Sequence, residues 1–358
     1  MRQRIPRILS AFVIVVGLMA AAVGCGGQEQ ELADTLYLYN WSEYMDPEVL
    51  EEFEEEFGVK VTEDTFASNE EMLAKLQGGA TGYDIVFPSD YMVDIMIEEG
   101  LLAEMDHENV PNIENIDPLF ADPPYDPEME HCIPYMWGTT GLGYNQDVFE
   151  EPPESWAYVF DPAMVGDYAG QITMLDDVRE AMGAALKYLG YSINTTDEDK
   201  LAEARDLLIQ QKQMLYGYEA ENYAPLISSD ETVIAHGYNG YFLMTAMEDE
   251  RIWYTIPKEG ATIWADNMCI PKSAPNKYTA EVFIDFILRP EISAKLVNYL
   301  WYPSPNSAAE EFIDAEILED PAIYPPEDVM DRLEWIEDVG DATPIYERMW
   351  TEVKAAGS

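Results

Sequence analysis

Two short segments of this 358-residue chain, Asn40-Trp41-Ser42-Glu43-Tyr44 and Pro88-Ser89-Asp90-Tyr91, place carboxyl, hydroxyl and aromatic side chains next to one another. That mixture suits an alkyl-ammonium ion. Aromatic faces attract a cation and cover methylenes, and carboxylates and hydroxyls accept ammonium protons in charge-assisted hydrogen bonds. An ammonium taken out of water without such acceptors is prohibitively costly. The competing reading is that Trp41 and Tyr44 only pack a loop. Catalysis is a poorer fit, because a carboxylate beside several aromatics is unusual for a catalytic site. The chain also has no Gly-x-Ser-x-Gly, no P-loop and no His-Glu-x-x-His. Its histidines, His107, His131 and His236, are scattered, and His131 beside Cys132 is too small a set for a metal. The expectation is a binding protein, not an enzyme, with no cofactor and no metal.

These segments need elements to hold them. Thr35 to Tyr39 is rich in strand formers. Asp46-Pro47 opens a helix whose apolar stripe is Val49, Leu50, Phe53 and Phe57, and Gly58 ends it. Val59 to Phe66 reads as a second strand. Ser68-Asn69-Glu70-Glu71 reads as a capping box ahead of Met72, Leu73 and Leu76, and Gly78-Gly79 stop that helix. Asp84 to Phe87 is a short apolar strand, followed by a helix turning Val93, Met96 and Ile97 inward. Alternation of this kind predicts a parallel sheet with covering helices. Ligands of such sheets bind at the carboxyl ends of the strands, so Trp41, Glu43, Tyr44, Ser89 and Tyr91 should share one crevice. Asp117 to Pro127 is a proline-rich loop. A second α/β unit follows, with strands at Ile172 to Leu175, Val233 to Tyr238 and Ala265 to Ile270. Its helices lie near Arg179 to Leu189, Asp197 to Leu215, Thr279 to Leu288 and from Pro290 onward.

The N-terminus reads as an address. Arg2, Arg4 and Arg7 precede an uncharged apolar run, Ile8 to Val23, too short to span a bilayer and ending in small residues. Residues 1–24 are therefore read as a signal peptide. Ala22-Val23-Gly24-Cys25 resembles the lipobox of bacterial lipoproteins, with Cys25 the lipidated residue and residues 25–33 a linker; the alternative is cleavage and release. The expected location is the periplasm or cell surface. Cys132 and Cys269 remain, either as one bridge or as two buried thiols. The formal net charge of −51 excludes nucleic acid and anionic lipid surfaces as partners. It is spread along the chain, so it marks no site. Self-repulsion on that scale calls for screening, and hence for a saline medium.

The later segments carry a family resemblance. Leu36 to Tyr44, Tyr83 to Ser89, Ile133-Pro134-Tyr135-Met136-Trp137-Gly138, Ile256 to Gly260, Leu288-Arg289-Pro290 and Tyr302-Pro303-Ser304-Pro305-Asn306 resemble, in order, the spermidine/putrescine-binding proteins of polyamine ABC importers. The resemblance runs from about Thr35 to Lys354. It implies an α/β, two-lobed periplasmic-binding-protein type II fold with a ligand cleft between the lobes. Lobe 1 is expected at 34–140 plus 266–312, and lobe 2 at 141–265 plus 313–358. It implies capture of a polyamine without chemistry, by a monomer, and delivery to a membrane permease and its ATPase. The alternative is a binding protein or sensor for another small cationic solute.

By the same resemblance the ligand-binding residues are Trp41, Ser42, Glu43, Tyr44, Ser89, Tyr91, Asp177, Glu180, Tyr238, Trp264, Asp266 and Tyr302. Asp177 also fits a helix cap, Asp266 a hinge turn and Tyr302 simple packing. Tyr238 stands where the family usually has tryptophan, and Ile336 where spermidine-preferring members often have glutamine. The choice between the two polyamines is therefore open at this level.

Overall fold

The computed structural model describes residues 30–149 and 151–356; residues 1–24 and Cys25, read above as signal peptide and lipidation site, lie outside them. Strand β1 (Thr35–Trp41) runs parallel to β2 (Lys60–Phe66), in register from Thr35 opposite Lys60 to Trp41 opposite Phe66. Helix α1 (Pro47–Phe57) connects them. Asp46 caps it by accepting the Glu48 amide at 2.9 Å, and Gly58 closes it in the left-handed region at φ +70°, where a side chain is strained. Phe53 is the buried anchor, its ring edge-on to Phe283 at 4.9 Å. Helix α2 (Asn69–Gln77) starts at Ser68, whose Oγ accepts the Glu71 amide at 3.1 Å. The reciprocal half of the expected capping box is displaced, since Glu71 accepts from Ala67 and not from Ser68. Strand β3 (Ile85–Val86) is shorter than the expected Asp84 to Phe87, and α3 (Asp90–Glu98) follows.

The remaining strands are β4 (Cys132–Asn145), β5 (Ile172–Leu175), β6 (Gly217–Glu219), β7 (Ile234–Tyr238), β8 (Ile252–Thr255), β9 (Thr262–Cys269) and β10 (Glu334–Trp335). They form one sheet ordered β2-β1-β3-β9-β4-β7-β5-β6, with β10 beside β9 and β8 beside β4. Parallel pairing prevails at both ends, in β2-β1-β3 and in β7-β5-β6, and the antiparallel pair β9-β4 joins the two parts. This is a mixed α/β architecture. All fourteen residues of β4 are buried, which explains their lack of strand-like alternation in the sequence. Strand β9 begins at Thr262, three residues before the expected Ala265, because Thr262 to Trp264 already pair with Gly138 to Thr140. At the other end of the same pairing Cys132 faces Cys269, and the two are joined by a disulfide. No helix among the described residues is long and apolar enough to cross a membrane.

Candidate ligand cleft

Most of the predicted residues converge because they follow the carboxyl end of a strand or lie on the central pair. Trp41 ends β1 and Tyr44 follows it; Ser89 and Tyr91 follow β3; Asp177 and Glu180 follow β5; Tyr238 ends β7; Trp264 and Asp266 are in β9. Tyr302 comes in from the segment after the helix Pro290–Leu300.

One wall centres on Asp266, which is 6% exposed. Ser89 Oγ donates to its Oδ1 at 2.7 Å, and an isolated backbone bridge pairs the two residues. Asn69 fixes Ser89 from behind: its Nδ2 donates to Ser89 Oγ at 3.0 Å, and its Oδ1 accepts the Ser89 amide at 3.1 Å. The Asp266 carboxyl is pushed up to about 7 by burial, partly offset by the Ser89 hydroxyl. Tyr44 is buried beside it with a phenolic oxygen that has no hydrogen-bond partner among the described residues.

The opposite wall is the N-terminus of the helix Val178–Tyr188. Asp177 caps it, its Oδ1 accepting the amides of Arg179 (2.8 Å) and Glu180 (3.0 Å). The capping role anticipated for Asp177 is therefore real, and it occupies one carboxylate oxygen. Glu180 is 4% exposed. Thr140 Oγ1 donates to its Oε1 at 2.9 Å, while Oε2 has no hydrogen-bond partner among the described residues. Burial first, and then the neighbouring Asp177, push its carboxyl up to about 8.

Aromatic rings bracket these acids. Trp264 lies edge-on to Tyr238 at 5.6 Å and to Tyr302 at 5.5 Å, and Tyr302 meets Tyr44 at 5.5 Å. The close packing depends on glycines. A Cβ on Gly138 would sit 2.5 Å from the Trp264 ring, and one on Gly240 would sit 2.4 Å from Tyr302. Trp41 is tied back, its Nε1 donating to the Phe87 carbonyl at 2.9 Å. Tyr91 donates to Glu70 at 3.1 Å and receives Asn69 at 3.2 Å.

Two predicted residues stand apart. Ser42 and Glu43 are exposed on the turn after β1, and Glu43 has a left-handed φ of 53°. Several contributors escaped notice in the sequence. Thr140 and Asn69 are ordinary polar residues whose roles arise from pairing across the fold. Asp90 was hidden in plain view between Ser89 and Tyr91. Beyond Tyr91 a cavity of about 280 Å³ opens, lined by Tyr91, Phe120, Tyr125, Trp335, Ile336 and Glu337 among others. Ile336, which stands in the glutamine position, and its neighbour Glu337 both line it.

The cleft offers little to an anionic group. Arg179 Nη1 donates to the Glu337 carbonyl at 2.9 Å and Nη2 to Asn194 at 2.8 Å, with the guanidinium over the Tyr346 ring. Among the described residues no group of three or more His, Cys, Asp or Glu is placed to hold a metal ion.

A mixed α/β sheet carrying a buried acidic and aromatic cleft is the arrangement of a solute-binding protein. The chain belongs to the bacterial extracellular solute-binding protein family, whose model matches residues 48–325. It is 36% identical over 338 residues to the spermidine/putrescine-binding periplasmic protein of Salmonella typhimurium, covering 94% of this chain and 96% of that one. It is 32% identical to the putrescine-binding periplasmic protein PotF of Escherichia coli, covering 96% of each. Among solved structures it is similar to a putative spermidine/putrescine ABC transporter from Listeria monocytogenes, with a TM-score of 0.84 and 37% identity over 90% of this chain and 99% of that one. The TpPotD lipoprotein of Treponema pallidum gives 0.80 and 35%, over 89% and 99%.

Proposed function

We propose that this chain is an extracytoplasmic polyamine-binding protein that captures spermidine or putrescine and delivers it to an ABC importer. The observation that carries this reading is the pair Glu180 and Asp266. Both are buried, they approach from opposite walls, and Trp264, Tyr238, Tyr302 and Tyr44 lie around them. Two acids set apart by rings match a cation at each end of a methylene chain. The 36% identical relative named for spermidine and putrescine supports the same class. Asp177 with Glu180 would receive one ammonium group and Asp266 with Ser89 another, while the rings cover the carbons. Ser42 and Glu43 would serve at the rim. Thermal melting with spermidine, putrescine and a panel of amino acids tests the class: the polyamines should raise the midpoint and the amino acids should leave it in place.

The mechanism is closure. A ligand that touches both walls favours the form in which they meet. We place lobe 1 at 34–140 plus 266–312 and lobe 2 at 141–265 plus 313–358, with β4 and β9 as crossing strands. The closed monomer would then dock on the permease. Cys25 would tether it to the membrane by lipid.

Protonation competes with an ammonium ion for the same oxygens. Glu180 and Asp266 sit at about 8 and about 7, above their ordinary 4.5 and 3.8. Between roughly pH 5.5 and 8 ionisation of Asp266 alone should therefore raise polyamine affinity about 30-fold, and Glu180 adds to this, read by calorimetry. For the protein alone the sign is reversed. The unfolded chain ionises these acids first, so between about pH 4 and 8 it holds fewer protons, and stability declines as pH rises.

The charge of −51 gives a separate expectation. The melting midpoint should climb by roughly 5–10 °C from low to molar salt as the surface is screened. A flat or falling midpoint would remove the case for a saline habitat.

A further inference from the structure

Asp90 is the first residue of α3, flanked by Ser89 and Tyr91, and only 1% of it is exposed. Its Oδ1 accepts the Tyr91 amide at 2.8 Å. Its Oδ2 is buried, with the Ala265 amide beside the carboxyl and no partner at hydrogen-bond geometry among the described residues. The bridge between Ser89 and Asp266 fixes its place, bringing the start of α3 alongside β9 at Ala265 and Asp266. From there Asp90 lies within electrostatic range of Asp266 on its own wall and of Glu180 and Arg179 on the other. Arg179 acts on Asp90 through its charge and not by contact: both terminal nitrogens of the guanidinium donate to neutral oxygens, the Glu337 carbonyl and Asn194 Oδ1. An acid in the first turn of a helix is favourable at the surface. Deep burial with a free oxygen goes beyond what a helix terminus requires and is costly without a donor.

Charge counting gives the residue a use. Asp177, Glu180, Asp266 and Asp90 are four acids, and the nearby Arg179 guanidinium offsets one of them. A diamine carries two cations, so one buried carboxyl is then surplus and must keep its proton. A triamine brings a third cation and lets that carboxyl ionise. We propose that Asp90 is a further ligand-facing acid of this cleft, whose free oxygen accepts an additional protonated nitrogen and thereby favours triamines over diamines. The inference rests on the polyamine reading above and deepens it. Burial, which pushes the Asp90 carboxyl up to about 8, accords with a group that stays neutral until a cation arrives.

The test is calorimetric titration of the unaltered protein and of Asp90→Asn with spermidine and with putrescine. Asparagine keeps the shape and the neutral state, so the melting midpoint at neutral pH should hold. Spermidine affinity should fall by about tenfold or more, while putrescine affinity stays within about threefold. Equal losses for both amines, or no loss for either, would overturn the proposal. Should Asp90→Asn fail to fold, the unaltered protein supplies the answer in two buffers of different ionisation heat. Spermidine should release more protons on binding than putrescine, and equal release would count against Asp90. Heat from neither amine in the unaltered protein would instead remove the polyamine reading, and this inference with it.

Discussion

Asp266→Asn is expected to weaken polyamine binding by about 2–4 kcal/mol, roughly 30- to 800-fold, without unfolding the protein. The carboxyl is 6% exposed and held at 2.7 Å by Ser89, which is itself held by Asn69. A cation that docks there leaves water and depends on that charge for compensation. Removing the charge leaves the cation buried and unpaired, which is what makes the penalty large. Glu180→Gln should behave alike from the other wall, since Oε1 keeps the Thr140 hydroxyl while Oε2 loses its charge. The free protein should not suffer. Burial already disfavours ionisation of both groups, so neutral replacements relieve a strain at neutral pH and above. Denaturant melts of each variant at pH 7 check this half, and titration checks the other. Unchanged affinity in Asp266→Asn would mean that the ligand does not reach this wall.

Replacing both Cys132 and Cys269 with alanine is expected to lower unfolding stability by about 3–5 kcal/mol. The bridge spans 137 residues of chain, and a loop of that length loses much entropy when closed in the unfolded state. The folded state pays little in return, because the two cysteines are already opposite one another in the β4–β9 pairing. They are buried beside Met92, Met96 and Tyr39 in the core behind β3, so two small cavities add to the loss. The effect belongs to stability and not to recognition: the ligand walls lie further along the same strands, and polyamine affinity in the variant should stay within about threefold. Matching urea midpoints for the two proteins would show that the bridge contributes nothing.

The local pattern from β1 to α3 was readable because caps and stops are local signals. Asp46, Ser68 and Gly58 act where the sequence puts them. The strand-end rule then placed Trp41, Tyr44, Ser89 and Tyr91 in one crevice. It also named Glu43, which together with Ser42 is exposed on the turn after β1, where Glu43 has a left-handed backbone. Long-range pairing was beyond periodicity. Strand β4 is buried throughout and meets β9 more than a hundred residues later, so neither its partner nor the pairing of Cys132 with Cys269 was legible locally. The same holds for Thr140 beneath Glu180 and Asn69 behind Ser89. Asp177 shows that a structural and a functional reading need not compete, since one oxygen caps the helix and leaves the other. Asp90 was passed over because an acid at a helix start has an ordinary explanation, which its burial removes.

The most direct measurement is isothermal titration of the purified protein with spermidine and putrescine in molar salt near pH 8. The account predicts saturable one-to-one binding of at least one of them, with Asp266→Asn and Glu180→Gln each weakened about 30-fold or more. No heat with either polyamine under those conditions would contradict it.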